Sequence, residues 1–449
     1  MNTAIDRGAV IRNVIGIRRE SVDATERRAP LTPGQIALLT RVHDIKVIVQ
    51  PSKLRVFPDE EYQAAGAVVA SDLSDCNIMF GVKGIPLEHI SPGQVFCFFS
   101  HTVKAQRYNM PMLRRIIEAR CTLLDYELVT NEAGNRLVFF GDFAGYAGMI
   151  DALWVLGKRL ESESIANPFT ILKQAIEYES LDEAKKAVTR LGQQIRAEGL
   201  PPALTPFVCA FTGRGQVSKG AQKIFNLLPA VEIRPDDLPT LASTGSFSKN
   251  AVYRVEFRKQ DLYEPFDPDA VFDAGSFRAR PGSYRAKFHR YAPYVTVLVH
   301  GIYWSPRYPR LLTREHLGKL YASGEIPRLK VIADITCDIE GSIEFTVRPT
   351  TSEQPVYVFE PITSRVVNGF AGEGPVILAV DKLPAELPRE ASQSFGEALM
   401  SYIPALARAD FSVPYENLVL PRQFKKAIIA HDGKLTENFR YLNEYLLQG

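Results

Sequence analysis

Two short segments carry residue types suited to proton transfer. In "FFSHTVKAQ" (98–106) an apolar run ends and His101, Lys104 and Gln106 follow within six residues; in "GVKG" (81–84) Lys83 comes directly after another apolar run. Of the histidines His43, His89, His101, His289, His300, His316 and His431, only His101 ends an apolar run with a lysine and a glutamine beside it. A neutral imidazole near lysines has its protonated form disfavoured, and a crowded or desolvated lysine sheds its proton more readily. Such a pair can run acid/base chemistry near neutral pH. "RRESVDATERRAPLTP" (18–33) adds Glu26 and Arg28; taken alone, it reads as a solvated loop. Asp334, Asp338 and Asp381 also follow apolar runs, where an aspartate commonly caps a helix or closes a turn.

The elements that must position these groups alternate in type. "NVIGIRRE", "KVIVQP", "CNIMFGVKG", "QVFCFFSH" and "CTLLDYELV" read as strands. "TPGQIALLTRV" reads as a helix with Thr32 as N-cap and Pro33 at its first position, and "NMPMLRRIIEAR" as another. Alternating strands and helices predict a mostly parallel sheet. In such sheets function collects outside the carboxyl ends of the strands, which is where Lys83 and His101 fall. "FAGYAGMIDALWVLGKRL" (143–160) predicts a long, mostly buried helix, and "ESLDEAKKAVTRLGQQIRAEG" a charged peripheral one. "YVTVLVHGIYW", "LKVIADIT" and "PVILAVD" return to strand character. Residues 235–292 are polar, aromatic and weakly periodic, and read as an irregular insertion.

A second motif opens a second unit. In "FVCAFTGRGQVSKGAQKIFNLL" (207–228) a strand, a glycine turn and a helix follow one another, the context that a dinucleotide fingerprint requires. Gly213 permits the tight turn, Gly215 lets backbone approach a pyrophosphate, and Ser218 takes the place of the usual third glycine. The next strand, "AVEI", is followed by Arg234, 21 residues after Gly213. An acidic residue at this spacing would bind the 2′-hydroxyl of NAD; an arginine suits the 2′-phosphate instead and favours NADP(H) over NAD(H).

Composition sets the outer bounds. A chain of 449 residues implies two or three domains at roughly 150 residues each. Hydrophobic residues at 46% and charged residues at 23% are ordinary for a globular protein. A net charge of +2 gives no general attraction to nucleic acid or anionic membrane. No apolar run is long enough to span a bilayer, and no signal peptide is read at the start. The five cysteines are scattered without a CxxC, so reduced thiols in a cytoplasmic protein, and no metal site, are expected.

Taken together, "IRRESVDATERRAPLTP", "GVKG", "FFSHTVKAQ", "LLDYELV", "GNRLVFFGDFAGYAGMIDAL", "FTGRGQVSKGAQKIFNLLP", "HGIYW", "DITCDIEGSIEF" and "DKLPAELPREAS" resemble the lysine–2-oxoglutarate reductase domain. That domain is the N-terminal half of aminoadipic semialdehyde synthase. The chain is also similar to lysine-forming saccharopine dehydrogenase and, more distantly, to alanine dehydrogenase, over about residues 14–440. The resemblance implies an α/β fold of two Rossmann-like domains with mostly parallel sheets and an interdomain cleft. The substrate-side domain would be 1–142 plus 384–449, and the dinucleotide domain 143–383. The implied reaction condenses L-lysine with 2-oxoglutarate and reduces the imine with NADPH to saccharopine. A separate saccharopine-consuming dehydrogenase would follow it. Lys83 and His101 match the family's acid/base residues. Arg28, Lys104, Gln106, Arg136 and Phe140 match positions lining the substrate site, and Glu26 and Glu127 match acidic residues that tune its charge. Asp381 and Leu383 match the stretch passing the nicotinamide, and Tyr303 a residue near the dinucleotide. Gly84 departs from the acidic residue of the fungal enzymes. Two readings stay open beside this one: a related reductase taking another amine or keto acid, and a non-catalytic nucleotide-binding regulatory protein.

Overall fold

A computed structural model describes residues 13–21, 25–322 and 327–446. Two compact units divide the chain: Met1–Phe140 with Pro388–Gly449, and Gly141–Leu387. The breaks lie at 140/141 and 387/388.

Short runs of valine, isoleucine, leucine and phenylalanine build the first unit's sheet. Its parallel strands are β1 (Val14–Ile17), β2 (Lys46–Val49), β3 (Val68–Val69), β4 (Ile78–Phe80), β5 (Val95–Phe98) and β6 (Thr122–Asp125), in the order β3-β2-β1-β4-β5-β6. Every residue of β1, β4, β5 and β6 is buried, the continuous apolar pattern of a parallel sheet covered on both faces. The strand order reverses between β1 and β4, and sites in doubly wound sheets form outside the carboxyl ends at such a point. Two strands from the far end of the chain, Ile428–His431 and Lys434–Leu435, extend the sheet antiparallel beyond β6. The helix Pro33–His43 begins as its sequence predicts. The Thr32 hydroxyl accepts from the Gln35 N–H, the Gln35 side chain accepts from the Thr32 N–H at 2.9 Å, and Pro33 fills the first position.

The second unit holds β7 (Val208–Thr212), β8 (Ala230–Ile233), β9 (Val252–Phe257), a small antiparallel pair of β10 (Tyr263–Pro265) and β11 (Tyr284–Ala286), β12 (Val297–His300), β13 (Val331–Asp334), β14 (Val356–Phe359), β15 (Val366–Asn368) and β16 (Val376–Leu378). The main sheet runs parallel in the order β8-β9-β7-β12-β13-β16, with β14 and β15 added antiparallel at one edge. This corrects the reading of residues 235–292 as an irregular insertion, because β9 lies within that stretch and pairs directly with β7. In β9, "VYRVEF", buried apolar side chains alternate with the half-buried Arg254 and Glu256.

The helix Gly141–Ser162 is buried along most of its length, as its composition predicts. It lies so close to the helix Gln216–Phe225 that a side chain at Gly145 would strike the Val217 backbone, and one at Gly220 the Asp142 backbone. Among the described residues no helix is long and apolar enough to cross a membrane. None of them form a group of three or more His, Cys, Asp or Glu suited to a metal ion.

Candidate active site

Two strand ends of the first unit carry the expected acid/base residues, and each is held by a buried carboxylate. After β4, the Glu20 carboxylate accepts the N–H groups of Val82 (2.7 Å) and Lys83 (3.1 Å). Arg18 closes the other side, donating to the Lys83 carbonyl and to the Gly84 carbonyl at 2.7 Å while facing Glu20 at 3.4 Å. Burial pushes the Glu20 carboxyl up from its ordinary range, against the pull of Arg18. Lys83 thus leaves a strand end whose backbone is fixed on both sides, with its side chain half-buried.

After β5, the buried Asp125 does the equivalent work. It accepts the Ser100 N–H at 3.0 Å, the Ser100 hydroxyl and the Glu127 N–H at 2.8 Å, tying the loop after β5 to the turn after β6. His101 follows with φ of 54°, in the left-handed region that a non-glycine residue rarely occupies. Its Nδ1 faces the Glu127 carboxylate at 3.5 Å, and its side chain is 43% exposed. Arg136 pairs with the other oxygen of Glu127. Hydrogen bonding from His101, with the charges of Arg136 and Lys104, outweighs burial and holds the Glu127 carboxyl at about 2. Gln106 joins the same loop: its side-chain oxygen accepts from the Tyr108 hydroxyl at 2.6 Å, and Asn109 donates to the His101 carbonyl at 3.2 Å.

Glu26 and Arg28 form a buried ion pair, with Nε–Oε1 at 2.7 Å and Nη2–Oε2 at 2.6 Å. This corrects the solvated-loop reading, since both side chains are at most 5% exposed. The Arg28 guanidinium lies 4.1 Å above the Phe140 ring. Phe140 stacks on Phe395 at 4.7 Å and approaches Phe99 at 6.0 Å, and Phe99 stacks with His101 at 6.1 Å. An aromatic bridge therefore runs from the Arg28–Glu26 pair to the imidazole. The structure brings Glu26, Arg28, Phe140, His101, Glu127, Arg136, Lys104 and Gln106 into one region of the first unit. Sequence reasoning did not select Arg18, Glu20, Phe99, Asp125 or Phe395.

In the second unit the glycine turn fits a dinucleotide. Gly213 adopts φ of 81°, and its N–H donates to the Phe257 carbonyl at 3.1 Å. The space beside Gly215 is open, since a Cβ there would meet nothing within 4 Å. Gly215 caps the helix Gln216–Phe225 without a side-chain hydrogen bond, so the first N–H groups of that helix have no capping side chain. Open space, a glycine and a helix N-terminus are what a pyrophosphate requires. Ser218 is buried and accepts from Gln222 at 3.2 Å. His300, at the end of β12, meets the Thr212 hydroxyl at 3.0 Å, and burial lowers its proton affinity. Tyr303 is 80% exposed beyond the same strand. Asp381 is exposed and its N–H donates to the Thr350 carbonyl at 3.3 Å, whereas Leu383 is buried. Arg234 is not brought to the glycine turn. It follows β8, which among the described residues is an edge strand paired with β9; its side chain is 83% exposed and bonded to Asp237 at 3.0 Å.

Two parallel α/β sheets, one with polar groups gathered at its strand ends and one with a glycine turn, define a double Rossmann-type protein. Residues 16–147 match the alanine dehydrogenase/PNT N-terminal domain and residues 295–438 the alanine dehydrogenase/PNT C-terminal domain. The chain belongs to the alanine dehydrogenase/PNT family. It is 40% identical over 444 residues to the alpha-aminoadipic semialdehyde synthase of Arabidopsis thaliana, covering 96% of this chain and 41% of that protein. It is 35% identical over 458 residues to the mitochondrial alpha-aminoadipic semialdehyde synthase of Bos taurus, covering 99% and 49%. The chain thus spans about half the length of these relatives or less. The saccharopine dehydrogenase [NAD(+), L-lysine-forming] of Emericella nidulans is 27% identical over 402 residues, covering 86% of this chain and 90% of that one. Among solved structures, an L-alanine dehydrogenase superposes with a TM-score of 0.58 at 17% identity, covering 96% and 99% of the two chains.

Proposed function

We propose that the protein is a nicotinamide-dependent oxidoreductase that joins L-lysine to 2-oxoglutarate, yielding saccharopine, with NADPH as the favoured reductant. The observation that carries this reading is the His101–Glu127–Arg136 cluster, set between strand ends in a chain similar to aminoadipic semialdehyde synthases. Glu127 faces Nδ1 of His101, which leaves Nε2 for the substrate. Condensation requires the ε-ammonium to lose a proton before it attacks the ketone. The carbinolamine hydroxyl must then gain a proton to leave as water. Lys83 and His101 are the two groups assigned to these transfers. The keto acid's carboxylates call for cations, and Arg28, Lys104 and Arg136 are the guanidinium and ammonium groups of this region. Glu26 pairs with Arg28 and Glu127 with Arg136, which balances those two cations before substrate binds. Bound at the glycine turn of the second unit, the dinucleotide supplies the hydride. Gly213 and Gly215 admit its pyrophosphate, Asp381 and Leu383 are assigned to its nicotinamide, and Tyr303 to the surroundings of the dinucleotide.

The test is NADPH oxidation with lysine and 2-oxoglutarate together and with each omitted, followed by mass analysis of the product. Consumption that needs both, with a saccharopine mass, is expected. Consumption with other amines or keto acids but not with this pair would overturn the substrate assignment. His101→Ala and Lys83→Met should each lower turnover by about 100-fold or more while leaving NADPH binding within about threefold. Near-normal turnover in either variant would remove that residue from the proton-transfer scheme.

A further inference from the structure

In doubly wound sheets the adenosine ribose extends from the glycine turn over the strand beside it on the side away from the point where the strand order reverses. The strand β7 is flanked by β12 and β9, the order reverses between β7 and β12, and β9 is therefore that strand. In this fold the neighbour is not the next strand in the chain. The strand β9 stands between β7 and β8, with Phe211 opposite Glu256 and Thr212 opposite Phe257. The turn itself is fastened to the end of β9 through the Gly213 N–H and the Phe257 carbonyl. Arg234 follows β8, two strand spacings from β7, or roughly 9–10 Å. At the end of β9 stands an ion pair instead: Nε of Arg214, the residue between Gly213 and Gly215, meets Glu256 Oε1 at 2.9 Å. The other Glu256 oxygen accepts from Gln222 at 3.1 Å, and Gln222 in turn donates to Ser218. Arg214 is 62% exposed and Glu256 22% exposed, so the pair can be approached from solvent.

We propose that Arg214 and Glu256, rather than Arg234, read the 2′ substituent, and that they do so by exchanging partners. A 2′-phosphate draws the Arg214 guanidinium away from Glu256, whose carboxylate keeps the Gln222 amide; Arg258, exposed at the same strand end, adds positive charge. A 2′-hydroxyl instead donates to Glu256, and Arg214 stays in place. The two members of one ion pair thereby serve the two nucleotides in opposite senses. The proposal rests on the nucleotide-binding reading of the second unit.

The test is equilibrium binding of NADPH and NADH to the intact protein without substrate, followed by the fluorescence of the reduced nicotinamide. Arg214→Met should weaken NADPH by about tenfold or more and leave NADH unchanged or tighter. Glu256→Gln should weaken NADH by a similar factor and leave NADPH unchanged or tighter. Arg214→Lys should recover part of the NADPH affinity, and Arg234→Ser should alter neither. Circular dichroism of each variant without nucleotide separates lost recognition from lost folding, and Arg214→Lys carries the test if Glu256→Gln fails to fold. Equal weakening of both nucleotides by Arg214→Met would make the residue a pyrophosphate ligand and overturn the proposal. So would a selective loss of NADPH in Arg234→Ser. If the unaltered protein binds neither nucleotide, the nucleotide reading falls and this inference falls with it.

Discussion

At the residue scale the most constrained charge is Glu127, which has the His101 imidazole on one oxygen and Arg136 on the other. Its carboxyl lies at about 2, against an ordinary 4.5. A depressed carboxyl adds stability that is fully present above the unfolded value and is lost as pH falls through the folded one. Glu127→Gln should therefore cost about 1–2 kcal/mol in urea unfolding at pH 7, with a gap that shrinks steadily below pH 4.5. A gap of constant size from pH 7 to pH 3.5 would mean that the side chain's shape, not its charge, is what stabilises. Lys83 and His101 were visible in the sequence because each breaks an apolar run, and a strand end is a local feature. Glu20 and Asp125 were not, since their roles come from partners 62 and 25 positions away in the chain. The Glu26–Arg28 pair was visible only as two charges in a polar loop. The Phe140 ring that covers Arg28 is backed in turn by Phe395, and no local pattern near residue 26 announces either ring.

At the element scale the helix Gly141–Ser162 holds a second titratable device, separate from the first unit. Asp151, midway along it, is fully buried, and its carboxyl lies beside that of Glu386 in the turn Leu383–Glu386, each with one buried oxygen that has no hydrogen-bond donor among the described residues. Asp151 also accepts from the Ala175 N–H at 2.7 Å, and Glu386 accepts from the Ser352 hydroxyl at 2.5 Å. Two carboxyls in contact need a proton between them. Burial raises both above their ordinary range, and the nearby Glu386 and Glu177 charges push Asp151 further. For a raised carboxyl, stability is full below the unfolded value and is lost as pH rises toward the folded one. Asp151→Asn keeps a neutral donor toward Glu386 and removes the titration. The melting temperature of the unaltered protein should fall relative to this variant by about 2–4 °C between pH 5 and pH 8. Parallel pH profiles for the two proteins would show that the pair is not sharing a proton. The helix was legible because its small and apolar residues run for six turns. The strand β9 was not: charged residues alternate with apolar ones in "VYRVEF", and the polar stretch on either side masked a period of two. That one strand also puts Glu256, and not Arg234, in the strand beside the glycine turn, an arrangement that counting along the chain does not show.

At the scale of the whole molecule the two units differ in continuity. Gly141–Leu387 is a single stretch containing every strand of its own sheet, whereas the other unit needs both ends of the chain. The far segment gives that unit the strand Ile428–His431 against β6 and the Phe395 ring against Phe140. It also provides the Ser392 hydroxyl that accepts the Ala29 N–H at 2.9 Å. The composition of residues 388–449 alone does not announce this interrupted layout, since its short strands add to a sheet formed three hundred residues earlier. A chain ending at residue 387 should therefore leave β6 as an unpaired edge and Phe140 exposed, and its first unit should lose cooperative unfolding. The fragment 141–387 has a core of its own and should fold alone. It should bind NADPH within about threefold of the full chain, because the groups assigned to the dinucleotide all lie inside it. It should show no turnover with lysine and 2-oxoglutarate, because Lys83 and His101 lie outside it. A folded fragment that binds NADPH tenfold more weakly than the full chain would mean that the first unit also supplies nucleotide contacts. Turnover by the fragment would remove the first unit from the chemistry altogether.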